Sequence, residues 1–556
     1  MENGKQDNTK RIAIACQGGG SHTAFTAGAL GTILKEVRDS ERYEIVALSG
    51  TSGGAVCAFL AWYALLEENN EEKAIEALRS FWQEDNSAYL RVGDPESLLD
   101  VLANNFLSAS NLLRRSGEAA LGVGLTSELN PYRYHDLFDY WRRRLKEAIE
   151  KNVKEIDPET KNIDQSIATR VRETGLTLRL FIGAVNTLTG DFKVFKSHKK
   201  DGETFAFNED DRVGVEAVLA SAAIPTVFEA TRTGEAVYWD PALPRNRRAY
   251  VGEGVYWDGL YSQNPPVRDL SEAEPHEIWV IQINPEEIQR EPKGSADIED
   301  RRNELSGNTS LNQELYFVRK INELVKQLGE WRYDQGNVLR KVLCVPRPSR
   351  EDQKTYATIK VRRIELSMPL DVSSKLNRGR SHIEKLMEHG AKQTRHFLDV
   401  IPSQIAFEAA WDETLQEKGE ENIDALMDFF VEEPVIEVVP PVDDPSGRPS
   451  RSERWQASNS GKVREVLEWC LRKNLTLEQS RDYRRGRKDQ ANHEMVTTCW
   501  VLATADWFED PIKGRTEVVV QDGKVERLTF YPLSPRVARE LMAEIAKIEE
   551  GEAPGR

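Results

Sequence analysis

The stretch LSGTSGGAVCAFLAWYALL, residues 48–66, places one serine among glycines between two apolar runs. The run before GTSGG is predicted to be a buried strand, and the run after it a buried helix. GTSGG, Gly50 to Gly54, fits the pattern G-x-S-x-G. On a sharp strand-to-helix turn, this pattern holds the serine hydroxyl above the edge of a sheet, where small neighbours let a substrate approach. We therefore predict a nucleophilic Ser52, with Gly50 and Gly54 forming the turn.

The segments around this turn predict the fold class. RIAIAC, residues 11–16, is predicted to be another short buried strand, and apolar residues at helical spacing follow it. Strand, helix, strand and helix in close succession indicate a parallel sheet with helices on its faces. Further strands are predicted at 178–186 and 278–284, with a hairpin partner at 191–197. The predicted class is α/β with a mainly parallel sheet.

Three glycines, Gly18, Gly19 and Gly20, follow the first strand. Unpaired backbone N–H groups at a helix N-terminus favour an anion, so this segment is a candidate oxyanion hole. Losing one oxyanion donor raises a reaction barrier by about 3 kcal/mol. A plain tight turn remains the alternative. Dinucleotide binding does not fit, because Thr23 stands where the last glycine of G-x-G-x-x-G belongs.

A base is also needed, and none of the eight histidines has a distinctive setting. Asp258, in VYWDGLYSQNPPV at 255–267, lies between aromatic residues and a glycine. Burial there would raise the pKa of its carboxyl group enough for it to act as a base. The alternative is that Asp258 and the glycine after it only form a turn.

Composition excludes some classes of protein. The chain has 556 residues and a formal charge of -17, which argues against general nucleic-acid binding. Its five scattered cysteines suit a reducing compartment and lack the spacing of metal ligands. The polar N-terminus has no apolar signal region, and the interrupted stretch at 48–66 is a poor membrane span. We expect a cytoplasmic protein that is peripheral to membranes at most.

Together these segments resemble the patatin-like phospholipase family. The similar blocks occur in order as QGGGSHTAF, GTSGG, ASAAIP (220–225) and DGLYSQNP. The resemblance implies a three-layer α/β/α fold, Ser52 as nucleophile, Asp258 as its partner and backbone N–H groups of Gly18, Gly19 and Gly20 as the oxyanion hole. It implies no metal, no cofactor and a phospholipid or other lipid ester as substrate. The chain departs from the family pattern at His22, Thr23 and Leu260.

The predicted domains are 10–403, patatin-like, and 404–556. The second domain is similar in pattern to the SnoaL-like family of ketosteroid isomerase and nuclear transport factor two. That resemblance implies either ligand binding or dimerisation, and the second role would make the protein a homodimer through this domain. Before it, a helix is predicted in which Leu315, Val318, Ile321, Leu324 and Leu328 face one way.

Three functions are compatible with these residues. The first is a serine-dependent lipid acyl hydrolase that acts transiently at a membrane surface. The second is a lipid-binding or regulatory protein with a degenerate site, and the third is an acyltransferase or thioesterase that shares the acyl-enzyme. A helix at 130–153 has Leu137, Trp141, Leu145 and Ile149 on one stripe, which predicts either a lipid-facing cap or a helix docked on the core.

Overall fold

The computed structural model describes most of the chain in separate segments. They are residues 9–40, 42–66, 71–89, 135–154, 178–201, 204–207, 213–225, 228–239, 249–286, 291–334, 358–368, 372–417, 420–439, 455–472, 475–480, 494–502, 512–521 and 524–532, with a few isolated residues between them. Contacts divide the chain into two compact units. One unit is Met1–Val361 with Leu366–Lys392, and the other is Arg362–Glu365 with Gln393–Arg556.

The first unit contains nine of the described strands. They are β1 Lys10–Cys16, β2 Tyr43–Gly50, β3 Arg179–Asn186, β4 Phe192–Lys196, β5 His198–Asp201, β6 Thr204–Phe207, β7 Thr231–Trp239, β8 Ala249–Asp258 and β9 Glu277–Gln282. β9, β1, β2 and β3 are parallel neighbours in that order. β8 and β7 continue this sheet in antiparallel pairing, while β4 pairs with β3, and β5 and β6 form a separate hairpin. The α/β class with a mainly parallel central sheet is confirmed.

The helices of this unit lie on both faces of the sheet. They are α1 Ala24–Asp39, α2 Gly53–Leu65, α3 Glu71–Arg79, α4 His135–Lys154, α5 Val215–Ser221, α6 Ser295–Asp334 and the first part of α7 Arg380–Glu417. Ala13 and Ala15 of β1 share a buried cluster with Leu311 and Leu315 of α6. Because side chains alternate along a strand, the buried Ile12 and Ile14 face the opposite side, and α1 and α2 pack against β1 and β2. The arrangement is helix, sheet, helix.

The second unit has its own core. Its helices are the rest of α7, α8 Glu420–Met427 and α9 Ser460–Arg472, and its strands are β11 Phe430–Val438, β12 Trp455–Ser458, β13 Leu475–Ser480, β14 Glu494–Leu502, β15 Ile512–Gln521 and β16 Lys524–Pro532. β13 to β16 pair antiparallel in sequence order, β16 is parallel to β11, and β12 is antiparallel to β11. A further strand, β10 Lys360–Glu365, spans one point of division between the units.

The predicted boundary after residue 403 falls inside α7, which runs unbroken from Arg380 to Glu417. Among the described residues, the contact division lies earlier in this helix, at Lys392. The assignment of residues 404–556 to a SnoaL-like domain, and a homodimer through it, stay predictions.

The predicted apolar face of α6 is buried over only part of its length. Leu315 and Val318 of α6 are buried, but Ile321 is 46% and Leu324 is 56% exposed, and Leu328 lies outside the described side chains. At α4, Ile149 is fully buried and Lys146 pairs with Glu216 of α5 at 2.5 Å, so this end of α4 is docked on the unit. The side chains of Leu137 and Trp141 lie outside the described residues. None of the described helices is long and apolar enough to cross a membrane.

Candidate active site

Ser52 occupies a tight turn between β2 and α2. Its backbone is in a left-handed conformation, with φ 56° and ψ -131°, which side chains rarely adopt. Gly50 and Gly54 leave no room for a side chain, because a Cβ on Gly50 would meet the Gly54 carbonyl and a Cβ on Gly54 would meet the Cys16 carbonyl. The glycines of G-x-S-x-G are therefore required by backbone packing at the end of two adjacent strands.

A buried serine on α5 holds this turn to the sheet. The Ser52 N–H donates a hydrogen bond to Ser221 Oγ at 3.0 Å, and the Ser221 hydroxyl donates to the Gly183 carbonyl of β3 at 2.6 Å. Ser221 is fully buried. Sequence analysis treated ASAAIP only as a small-residue block and missed this contact. The available signal was one serine among buried apolar residues of a short helix.

Asp258 ends β8 at the same region of the sheet. Gly50 of β2 pairs with Ile182 of β3, and Asp258 pairs with Ala184, two residues further along that strand. Asp258 is 1% exposed, and its Oδ1 accepts a hydrogen bond from the Leu260 N–H at 2.8 Å. The neighbouring Ser52 side chain also favours the ionised form of this carboxylate.

Burial controls the protonation of this carboxyl group. It raises the pKa of Asp258 to about 7, while the hydrogen bond from Leu260 and the neighbouring Ser52 side chain oppose the shift by stabilising the charged form. At neutral pH the group is therefore divided between its protonated and ionised forms. A carboxylate with this pKa is a suitable proton acceptor for a neighbouring hydroxyl.

The glycine loop borders Ser52, and its three members have different surroundings. The Gly18 N–H donates to Asn264 Oδ1 at 2.7 Å, so this donor already has a protein acceptor. Gly20 has φ +59° and abuts the Lys375 carbonyl, so a side chain there would be both strained and blocked. Gly18, Gly19 and Gly20 line the same cavity as Ser52 and Asp258. The structure thus brings Ser52, Asp258 and the three loop glycines to one cavity.

Comparison with known proteins identifies a domain within this unit. Residues 14–271 match the family model of patatin-like phospholipase. The chain carries a patatin-like phospholipase domain. Among curated proteins, no sequence matches the chain significantly.

Three solved structures are similar to this chain, each at 11% sequence identity. The match to VipD from Legionella pneumophila covers 76% of this chain and 80% of the VipD chain, with a TM-score of 0.24. The match to human GIVD cytosolic phospholipase A2 covers 70% of this chain and 59% of the phospholipase chain, with a TM-score of 0.34. The match to the type III effector ExoU covers 76% of this chain and 70% of the ExoU chain, with a TM-score of 0.21.

His22 and Thr23, where the chain departs from the patatin-like pattern, support the glycine loop. His22 Nε2 lies 2.7 Å from Ser374 Oγ, and burial, followed by the nearby Lys375 and His382, lowers the pKa of His22 to about 3. His22 is therefore neutral at pH 7. The Thr23 hydroxyl donates to the Gly20 carbonyl at 2.5 Å. The imidazole acts as a buried polar anchor and supplies no positive charge.

The cavity of the patatin-like domain has a volume of about 380 Å³ and a largely apolar wall. Its apolar lining comes from Val56, Phe81, Trp82, Leu145, Ile224, Pro225, Phe228 and Leu260. Leu260, the third departure, contributes both its N–H to Asp258 and its side chain to this wall. The Leu260 side chain therefore forms part of the cavity wall next to Asp258.

Charged side chains also line the cavity. Lys375 Nζ lies 2.7 Å from Asp300 Oδ1 and 3.0 Å from Glu304 Oε1, and burial raises the pKa of Asp300. Arg302 and Arg378 also line the cavity. Across the described part of the chain, no group of three or more His, Cys, Asp or Glu side chains could hold a metal ion.

Proposed function

We propose that this protein is a serine-dependent lipid acyl hydrolase of the phospholipase A or lysophospholipase type. The observation that carries the proposal is that Ser52, the buried Asp258 and the glycine loop line one largely apolar cavity. The patatin-like family model, which implies lipid acyl hydrolysis, supports the same reaction class. An apolar wall next to a nucleophile suits the acyl chain of a lipid.

The reaction proceeds through an acyl-enzyme. Ionised Asp258 accepts the Ser52 hydroxyl proton as Oγ forms a bond to the ester carbonyl carbon. When the tetrahedral intermediate collapses, the bond to the leaving oxygen breaks and Asp258 returns the proton to the departing alcohol or lysolipid. Water then adds to the acyl-enzyme by the same proton path and releases the fatty acid together with the free serine.

The developing oxyanion needs N–H donors in this scheme. Because the Gly18 N–H donates to Asn264, we assign this role to the backbone N–H groups of Gly19 and Gly20, and we assign to Gly18 the fixing of the loop. Losing one such donor lowers kcat by about 100- to 1000-fold. The buried Asn264 would then act on catalysis through the position of Gly18.

Fatty-acid release tests the proposal. Wild type, Ser52→Ala and Asp258→Asn are incubated with a soluble medium-chain fluorogenic ester and with mixed phospholipid vesicles. We expect release by wild type and loss of at least about 1000-fold in both variants, since each removes a member of one proton-transfer unit. Hydrolysis that survives Ser52→Ala would exclude this mechanism, and no release by wild type would favour a degenerate site.

Transfer to an acceptor alcohol would use the same acyl-enzyme. The two reactions differ only in whether water or an alcohol attacks the second time. Adding glycerol or a lysolipid to the same assay separates them, because a transferase forms a new ester at the expense of free fatty acid.

A further inference from the structure

We infer that the outward face of α6 docks on an anionic lipid bilayer beside the cavity mouth. This face, called here the α6 face, consists of Leu305, Tyr316, Phe317, Lys320, Ile321 and Leu324. The biological purpose of this docking rests on the proposed lipid hydrolysis, but binding of the protein to a bilayer can be measured without catalysis.

The apolar members of the α6 face are unusually exposed for their size. Tyr316, Phe317, Ile321 and Leu324 are between 46% and 56% exposed, and Leu305 is 48% exposed. They lie on one helix whose opposite side packs Leu311, Leu315 and Val318 into the core of the first unit. Clustered exposed apolar residues of this kind mark interaction sites, whereas scattered single ones do not.

Two acidic residues lie within the span of the α6 face, Leu305 to Leu324: Glu314 and Glu323. Glu314 faces inward, where its carboxylate accepts hydrogen bonds from Gln263 Nε2 at 3.0 Å and the Arg268 N–H at 2.8 Å. The side chain of Glu323 lies outside the described residues.

Basic side chains accompany the exposed aromatic residues. The Arg319 guanidinium carbon and Lys320 Nζ lie 5.7 Å and 5.6 Å from the centre of the Tyr316 ring. An apolar helix face with aromatic and basic residues is suited to the boundary between headgroups and acyl chains. The two basic side chains beside the Tyr316 ring favour an anionic bilayer over another copy of this chain, whose formal charge is -17.

The same helix reaches the candidate active site. Asp300, Arg302 and Asn303, at the N-terminal end of α6, line the cavity that holds Ser52. Further along, the Ser310 hydroxyl donates to the Ser262 carbonyl at 2.7 Å, in the loop that follows Asp258. Docking through α6 would thus bring the cavity to the bilayer from which a lipid substrate must enter.

Vesicle flotation of full-length protein tests the α6 face directly. All proteins carry Ser52→Ala so that the vesicles stay intact, and the vesicles contain phosphatidylcholine with or without phosphatidylserine. We expect Phe317→Asp with Ile321→Asp to weaken partitioning about tenfold or more, because anions replace two exposed apolar side chains that docking would bury in the bilayer. Lys320→Glu should weaken binding to the phosphatidylserine vesicles more than binding to pure phosphatidylcholine.

A matched control uses exposed apolar residues elsewhere in the first unit. Leu188 and Val237 are 67% and 66% exposed, and the double change Leu188→Asp with Val237→Asp should leave partitioning unchanged. In the active Ser52 background, both double variants should hydrolyse the soluble ester like wild type. Equal vesicle binding by all proteins, or no binding by any, would overturn the inference. So would a shift of oligomeric state in the α6 variant alone, which would assign the face to a protein partner.

Discussion

The buried carboxyl group of Asp258 predicts how the hydrolysis rate depends on pH. Because a base must be ionised, kcat/KM for a soluble ester should rise with pH as one proton leaves a group with a pKa of about 7. It should level off about one pH unit above that value. The measurement is an initial-rate profile from pH 5 to pH 9. A flat profile down to pH 5 would mean that Asp258 is not the base.

The same group makes folding stability depend on pH. Burial raises the pKa of Asp258 above its unfolded value, so between pH 4 and about 7 the folded chain binds more protons than the unfolded chain. The contribution of Asp258 to the free energy of unfolding therefore falls as pH rises through this window. Asp258→Asn removes this loss, and its stability relative to wild type should increase from pH 5 to pH 8. Urea unfolding at both pH values checks the sign; an unchanged difference would contradict the raised pKa.

Ser221 should matter for the strained turn although it does not contact the cavity. Ser221→Ala leaves the Ser52 N–H and the Gly183 carbonyl without their buried partner. We expect a loss of about 1–3 kcal/mol in the free energy of unfolding. Ser271→Ala is the control, since its exposed hydroxyl makes a hydrogen bond of similar length, 2.7 Å, to Arg268. Equal effects from the two variants would argue against a special role for Ser221.

At the scale of elements, two glycines bring α1 and α7 into backbone contact. A Cβ on Gly28 would collide with the Met387 carbonyl, and a Cβ on Gly390 would collide with the Phe25 carbonyl. Either change to alanine forces the helices apart, and we expect destabilisation of about 1–3 kcal/mol. Gly31→Ala, also in α1, meets only Ile75 at 4.0 Å. This control should be neutral or slightly stabilising, because alanine favours a helix.

Thermal unfolding of the three glycine variants decides this prediction. We expect Gly28→Ala and Gly390→Ala to lower Tm, and we expect no lowering of Tm by Gly31→Ala. If all three behave alike, intrinsic helix propensity and not helix contact governs these positions.

The sequence predicted the elements near the site better than their contacts. β1, β2 and the turn at Ser52 follow from short-range apolar patterns, which local physics largely determines. Asn264 as acceptor for the Gly18 N–H was not predictable, because the two residues are 246 positions apart and only the folded sheet brings them together. On α6, apolar spacing placed Leu315 and Ile321 on one face, but periodicity does not distinguish burial in a core from exposure to a partner.

At the scale of the whole molecule, each unit has a core of its own. Leu467 is fully buried in the second unit among Trp411, Leu426 and Leu528. Leu467→Ala should cost about 2–5 kcal/mol, as expected for a large-to-small change in a core. Hydrogen exchange should show lost protection in β11 and α9 but not in β2 and β3. Lost protection in all four elements would instead mean that the units unfold together.

In the proposed mechanism, Ser52 forms a covalent acyl-enzyme and Asp258 acts as its base. The most direct measurement is mass spectrometry of the full-length protein after reaction with a fluorophosphonate ester, which reacts with activated serines. The account predicts a single adduct on the peptide that contains Ser52, no adduct in Ser52→Ala, and much slower labelling in Asp258→Asn. An adduct on another residue, or labelling of Ser52 at full rate without Asp258, would contradict it.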